Sequence, residues 1–139
     1  MTGTLLSIIF LLQPAPKIDA DRSPEAVVRA MFAAFNRHDA VAMERIYAPD
    51  ARLTSSDFCR ARGRSDVRRT YEALFRAFPD IRDDVTTVVS EGDHVAVRFM
   101  AVSRRGGMSL KIHTFLRVRD GQILEDDSVF DTGGQACEP

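Results

Sequence analysis

Charge imbalance is what this chain lacks most. Its 139 residues carry 19 basic and 20 acidic side chains, a formal net charge of -1. Without a basic excess there is no electrostatic footprint for nucleic acid, and no such partner is expected. Lysine is nearly missing, present only at Lys17 and Lys111. The arginines that replace it are scattered. Only Arg60, Arg62, Arg64, Arg68 and Arg69 cluster, as a solvated loop and helix face would. Cysteine is limited to Cys59 and Cys137, 78 positions apart. That pair forms no disulfide framework and neither residue has metal-ligand spacing, so no metal is expected. Internal repeats and a second domain are also missing.

Long apolar runs are lacking too. Leu5 to Leu12 is an eight-residue run, too short to span a bilayer. It is similar to the apolar region of a secretory signal, with Gln13-Pro14-Ala15-Pro16 as a breaker and Ile18-Asp19-Ala20 as a cleavage site. The first four residues, however, hold no Lys or Arg. Residues 1–22 are therefore read as a signal-like or disordered segment. The expected location is periplasmic or secreted; the alternative is a cytoplasmic protein with an N-terminal arm or a misassigned start. Two cysteines are compatible with an oxidising compartment without establishing one. The remainder divides into a domain over 23–132 and a flexible tail over 133–139. Hydrophobic residues make up 45% of the chain, which suits one globular domain with a proper core.

Ser23-Pro24 supplies an N-cap and a first-turn proline, followed by an apolar stripe at Val27, Met31 and Phe35. Asp39 caps a second, shorter helix with Met43, Ile46 and Tyr47 on its apolar side. That helix ends at Ala48-Pro49-Asp50. A short strand over Ala51–Ser55 and a loop over Ser56–Arg62 follow. A third helix is expected from about Ser65 to Phe78, with Tyr71, Leu74 and Phe75 inward. From Ile81 onward the pattern is strand: Ile81, Asp83, Val85, Thr87 and Val89 alternate with other positions, and Val95, Val97, Phe99 and Ala101 repeat the period. Met108–Arg119 and Gln122–Phe130 complete a meander. The fold class is α+β.

Asp120-Gly121 between the last two strands is a hairpin signal. His113 and Asp127 sit on those strands, fourteen residues apart. A three-residue loop, Arg119 to Gly121, pairs Val118 with Gln122 and sets His113 opposite Asp127 on one face. A two-residue loop pairs Arg119 with Gln122 and puts them on opposite faces, because a one-residue slip inverts every side chain. Glu125-Asp126-Asp127 is a run of three acids, of which at least one must meet solvent.

Tyr47-Ala48-Pro49-Asp50-Ala51 after two helices resembles the tyrosine–alanine–x–aspartate–alanine signature of SnoaL-like domains. Gly63-Arg64-Ser65-Asp66-Val67, Ala77-Phe78-Pro79-Asp80, Gly92 to Phe99, and Asp120-Gly121-Gln122-Ile123 with Asp131 extend the likeness in the right order. It covers roughly Ser23 to Thr132. These domains belong to the nuclear-transport-factor-two-like, ketosteroid-isomerase-like superfamily. The resemblance implies a cone: a curved antiparallel sheet wrapped around three N-terminal helices, with a hydrophobic cavity at the open end. It also implies a homodimer through the outer face of the sheet.

For chemistry, the ketosteroid isomerases put a carboxylate base where Thr54 or Ser55 falls here, and a helix-one tyrosine near Met31. None of these can play those parts, and Asp57 comes two or three positions late. SnoaL-type cyclases use an aspartate on the last strand and a nearby histidine on the preceding one, and His113 and Asp127 resemble that pair. The implied function is a cofactor-independent, cyclase- or isomerase-type enzyme abstracting a proton α to a carbonyl in a small apolar substrate. No cofactor is required by such a reaction. An alignment shifted by one makes Ser128 the pocket residue instead. Met31, Phe35, Tyr71 and Phe75 would line an open cavity. The alternative function is a non-catalytic exported domain holding a hydrophobic ligand. The short tail implies a mouth that is wider, or covered by the partner subunit; the turn at Arg104–Gly107 is brief where cyclases often carry a substrate-contacting insertion, and both argue against a large polyketide substrate.

Overall fold

The structure, a computed structural model, describes residues 22–139; the apolar run and cleavage site read as a secretory signal lie outside the described residues. Helix α1 (Pro24–Asn36) begins where the Ser23 hydroxyl accepts the Ala26 N–H at 3.2 Å, satisfying one of the free donors at a helix start. Val27, Val28, Met31, Phe32 and Phe35 are its buried stripe. Helix α2 (Ala40–Ile46) is capped by the Asp39 carboxylate, which accepts the Ala42 N–H at 2.9 Å. The sheet then begins with β1 (Tyr47–Ser55) and β2 (Arg62–Gly63). Helix α3 (Arg64–Ala77) leads to β3 (Arg82–Glu91), β4 (His94–Ser103), β5 (Met108–Arg119) and β6 (Gln122–Val129).

Helices and strands form the expected α+β fold, with a six-stranded, curved, unclosed sheet in the order β2-β1-β6-β5-β4-β3. The expected antiparallel sheet is mixed, since β1 runs parallel to β6. Parallel neighbours need a long crossover, and everything from β2 to β5 supplies it. β1 also starts at Tyr47, four residues before the expected strand and in place of the end of α2. Between the pairs Tyr47–Ile123 and Arg52–Glu125 the ladder is irregular. That gap accommodates exposed Pro49, which has no N–H to give to a ladder.

The inner face of the sheet is the core. Val95, Val97, Phe99 and Ala101 of β4 and Leu116 and Val118 of β5 meet α1, with Phe32 edge-on to Phe99 at 4.9 Å between ring centres. Among the described residues, no helix is long and apolar enough to cross a membrane.

Candidate functional site

The site turns on the register of the β5–β6 hairpin. Asp120 and Gly121 both have positive φ, 54° and 75°, so the loop has two residues and Arg119 pairs with Gln122. By itself that loop would put His113 and Asp127 on opposite faces. A bulge at Leu124 shifts the register between Val118–Ile123 and Arg117–Glu125, and this extra residue restores a common face. It is the outer one. His113 lies opposite Val129 on β6 and Arg98 on β4, while Asp127 lies opposite Phe115. Both are exposed. Asp127 accepts a hydrogen bond from the Thr54 hydroxyl at 2.6 Å. The two residues expected to work as a pair are therefore neither directly opposed nor turned toward the core.

The inward positions on the same strands are Thr114, Leu116, Val118, Ile123 and Asp126. Asp126 is 6% exposed. The Tyr47 hydroxyl donates to its Oδ2 at 2.6 Å, the Thr114 hydroxyl donates to Oδ1 at 2.7 Å, and Ser128 adds a long contact at 3.4 Å. β1, β5 and β6 thus each contribute hydroxyls to one carboxyl. Burial raises its pKa from the ordinary aspartate value, while the hydrogen bonds from Tyr47, Thr114 and Ser128 oppose the rise. Tyr47 is wholly buried, and its own pKa is pushed up by burial and by the charge of Asp126. Tyr71 on α3 is raised in the same way, by burial first and then by Asp126 and Asp83.

Asp126, Thr114 and Ser128 line a concave space of about 1390 Å³ between the sheet and the helices. Met31, Phe35 and Tyr71 line it as well; Phe75 does not. Phe75 is occupied by packing: the His38 ring stacks on it at 4.3 Å and Phe35 meets it edge-on at 5.2 Å. His38 is held in place by donating from Nε2 to the Ile81 carbonyl at 2.7 Å. Thr54 lies on the outer side of β1, whereas Ser55 and, in the following loop, Asp57 line the same concave space, the Ser55 hydroxyl donating to the Asp57 carboxylate.

The tail read as flexible closes part of the wall. Cys137 forms a disulfide with Cys59, their Cα atoms 5.0 Å apart; distance along the chain says nothing about distance across the fold. Glu138 donates its N–H to the Asp57 carbonyl at 2.6 Å and accepts the Cys59 N–H at 2.8 Å. Its side chain pairs with Arg62 at 3.2 Å, whose guanidinium lies 3.7 Å above the Phe58 ring. Gln135, Ala136 and Pro139 face the same concave space.

Sequence reasoning passed over Asp126 and Thr114 by one position each. The alternation of Thr114 with Leu116 and Val118 does point inward; the bulge that selects Asp126 from its acidic neighbours has no local signature.

The model of the SnoaL-like domain matches residues 28–126. Solved structures of the same architecture include AclR from Streptomyces galilaeus, provisionally assigned as a hydroxylase. It is 26% identical over 78% of each chain, with a TM-score of 0.67. IdmH from Streptomyces antibioticus, provisionally assigned as a polyketide cyclase, is 25% identical over 80% of this chain and 94% of its own, with a TM-score of 0.68. A nuclear-transport-factor-two-like protein from Cytophaga hutchinsonii is 14% identical over 82% and 95%, with a TM-score of 0.68, a likeness of fold alone. No curated protein matches the chain.

Proposed function

Since the chain belongs to the SnoaL-like domain family, we propose that it is a cofactor-independent enzyme that removes a proton α to the carbonyl of a small apolar compound, with Asp126 as the base. The observation that carries this reading is a buried carboxyl, fixed by two short hydroxyl hydrogen bonds, on the wall of a space also lined by Met31, Phe35 and Tyr71. Desolvation makes the carboxylate a stronger base. The hydroxyls keep it oriented and favour its ionised form. The C–H proton passes to Asp126, and the electron pair moves to the carbonyl oxygen as an enolate. IdmH, provisionally assigned as a polyketide cyclase, supports the class.

The test is deuterium exchange at the α-carbon of 2-tetralone in D₂O, followed by NMR. Wild type accelerates the exchange, and Asp126→Asn loses about 100-fold or more of that acceleration. Exchange at the buffer rate with wild type overturns the reading.

A second reading, an exported binding domain for a hydrophobic molecule, draws on the Cys59–Cys137 bond. Such bonds persist in the periplasm or outside the cell. It predicts 2-tetralone binding with no exchange. In either case the working unit is a homodimer through the sheet, because Val89, Phe115 and Val129 leave 61%, 61% and 55% of their surface exposed on its outer side. Sedimentation of Phe115→Arg as a smaller species than wild type checks this; identical sedimentation removes it.

A further inference from the structure

Asp83 stands at the start of β3, paired with inward-facing Ala101 of β4. It is 7% exposed and lines the same concave space as Asp126. Its backbone is clamped by the Asn36 side chain, which donates from Nδ2 to the Asp83 carbonyl at 3.0 Å and accepts the Asp83 N–H at 2.8 Å. Its side chain is not so served. Oδ1 is buried with no hydrogen-bond partner, a condition shared among the described residues only by Nε of Arg117. Buried polar groups are nearly always satisfied, so a carboxyl oxygen closed off without a partner disfavours a charge there, while the residue itself reaches the cavity wall.

We propose that Asp83 is a second polar contact for the ligand, donating a hydrogen bond to the oxygen of a carbonyl compound held in the cavity. This rests on the carbonyl-ligand reading above and extends it: one acid takes the proton, another holds the oxygen. The surroundings suit a neutral carboxyl. Burial pushes Asp83 up to about 8, with Asp84 adding to the rise. On β3 its charged neighbours are Arg82 and Asp84, which pair with each other at 2.8 Å. Helix α3 presents Tyr71, the turn after α1 presents His38 on the Ile81 carbonyl, α1 presents neutral Asn36, and β4 presents Ala101. None of them supplies Oδ1 with a cationic partner. Asp126, unlike Asp83, accepts from hydroxyl donors, which oppose the rise that burial imposes on it. Two carboxyls with divergent environments are how a site divides acid and base work.

The test is the affinity of the full-length protein for 2-tetralone across pH, by titration calorimetry. The ligand has no titrating group in the range. Wild-type binding weakens by about tenfold between about pH 6.5 and about pH 9.5, as the donor proton is lost. Asp83→Asn, whose amide still donates, binds without that step. Asp83→Leu binds weakly at every pH. Asp126→Asn keeps the step, which separates this contact from the base. Flat wild-type affinity, undiminished binding by Asp83→Leu, or loss of the step in Asp126→Asn each overturns the assignment to Asp83. Absence of binding at every pH removes the carbonyl-ligand reading as well.

Discussion

Tyr47 and Asp126 are 79 positions apart in the chain, and the hydroxyl of one donates to the carboxylate of the other at 2.6 Å. The contact joins the first strand to the last and holds the one acid that, among the described residues, is both buried and hydrogen-bonded by several hydroxyls. Tyr47→Phe strips Oδ2 of its donor while keeping the ring in the core. The expected cost is about 1–3 kcal/mol in urea unfolding, the penalty for an unsatisfied buried acceptor. Because the Tyr47 hydrogen bond lowers the Asp126 pKa, its loss also moves the acid limb of the exchange–pH profile upward.

His113→Ala and Asp127→Ala serve as the outer-face counterpart. Both side chains are exposed, so each change is expected to fall within about 0.5 kcal/mol of wild-type stability. Tetralone exchange should proceed unchanged. A large loss of exchange in either variant would return the chemistry to the outer face.

Asp83 and Asp126 give the stability a definite slope with pH. Both carboxyls titrate higher in the folded chain than the ordinary aspartate value of 3.8, Asp83 at about 8. The native state therefore holds more protons than the unfolded state between those limits. Their contribution is full below the unfolded value and is lost as pH rises through the folded one. For Asp83 alone the loss approaches about 1.4 kcal/mol per pH unit inside that window. Asp83→Asn should flatten urea midpoints measured from about pH 5 to about pH 8.

Reduction is expected to weaken the fold. The Cys59–Cys137 bond closes a separation of 78 residues, and on the chain-entropy account a loop of that size is worth about 4.5 kcal/mol. Cys137→Ser should lower the melting temperature by the same margin as reductant added to wild type. Adding reductant to the variant should do nothing more. Equal melting of oxidised wild type and variant would show that the tail carries no such load.

Much of the fold is legible in the sequence. The N-caps at Ser23 and Asp39, the apolar stripe of α1 and the period of β4 are local signals, and each element lies where its signal pointed. Tyr47 was misplaced because its apolar character suits the end of a helix as well as the start of a strand; the ladder to Ile123 decides. The parallel pairing of β1 with β6 is a property of the whole chain and has no local trace. The site was legible only to within one residue. The turn chemistry of Asp120-Gly121 was readable, but the bulge at Leu124 compensates for it, and the combination selects Asp126 over Asp127. Asp83 was visible as an acid between Ile81 and Val85 on one face of a strand. Its buried, unpartnered oxygen was not, because satisfaction depends on neighbours from other elements.

The insertion of β1 between β2 and β6 has a consequence for the order of events during synthesis. A ribosome delivers Tyr47–Ser55 long before Gln122–Val129 exists, so the strand emerges without the neighbour that completes its ladder. The β3–β4–β5 meander can pair as it emerges, but β1 must wait for β6. Until β6 has been made, β1 keeps an unmatched edge, and a chain shortened by its last strand would carry that edge permanently.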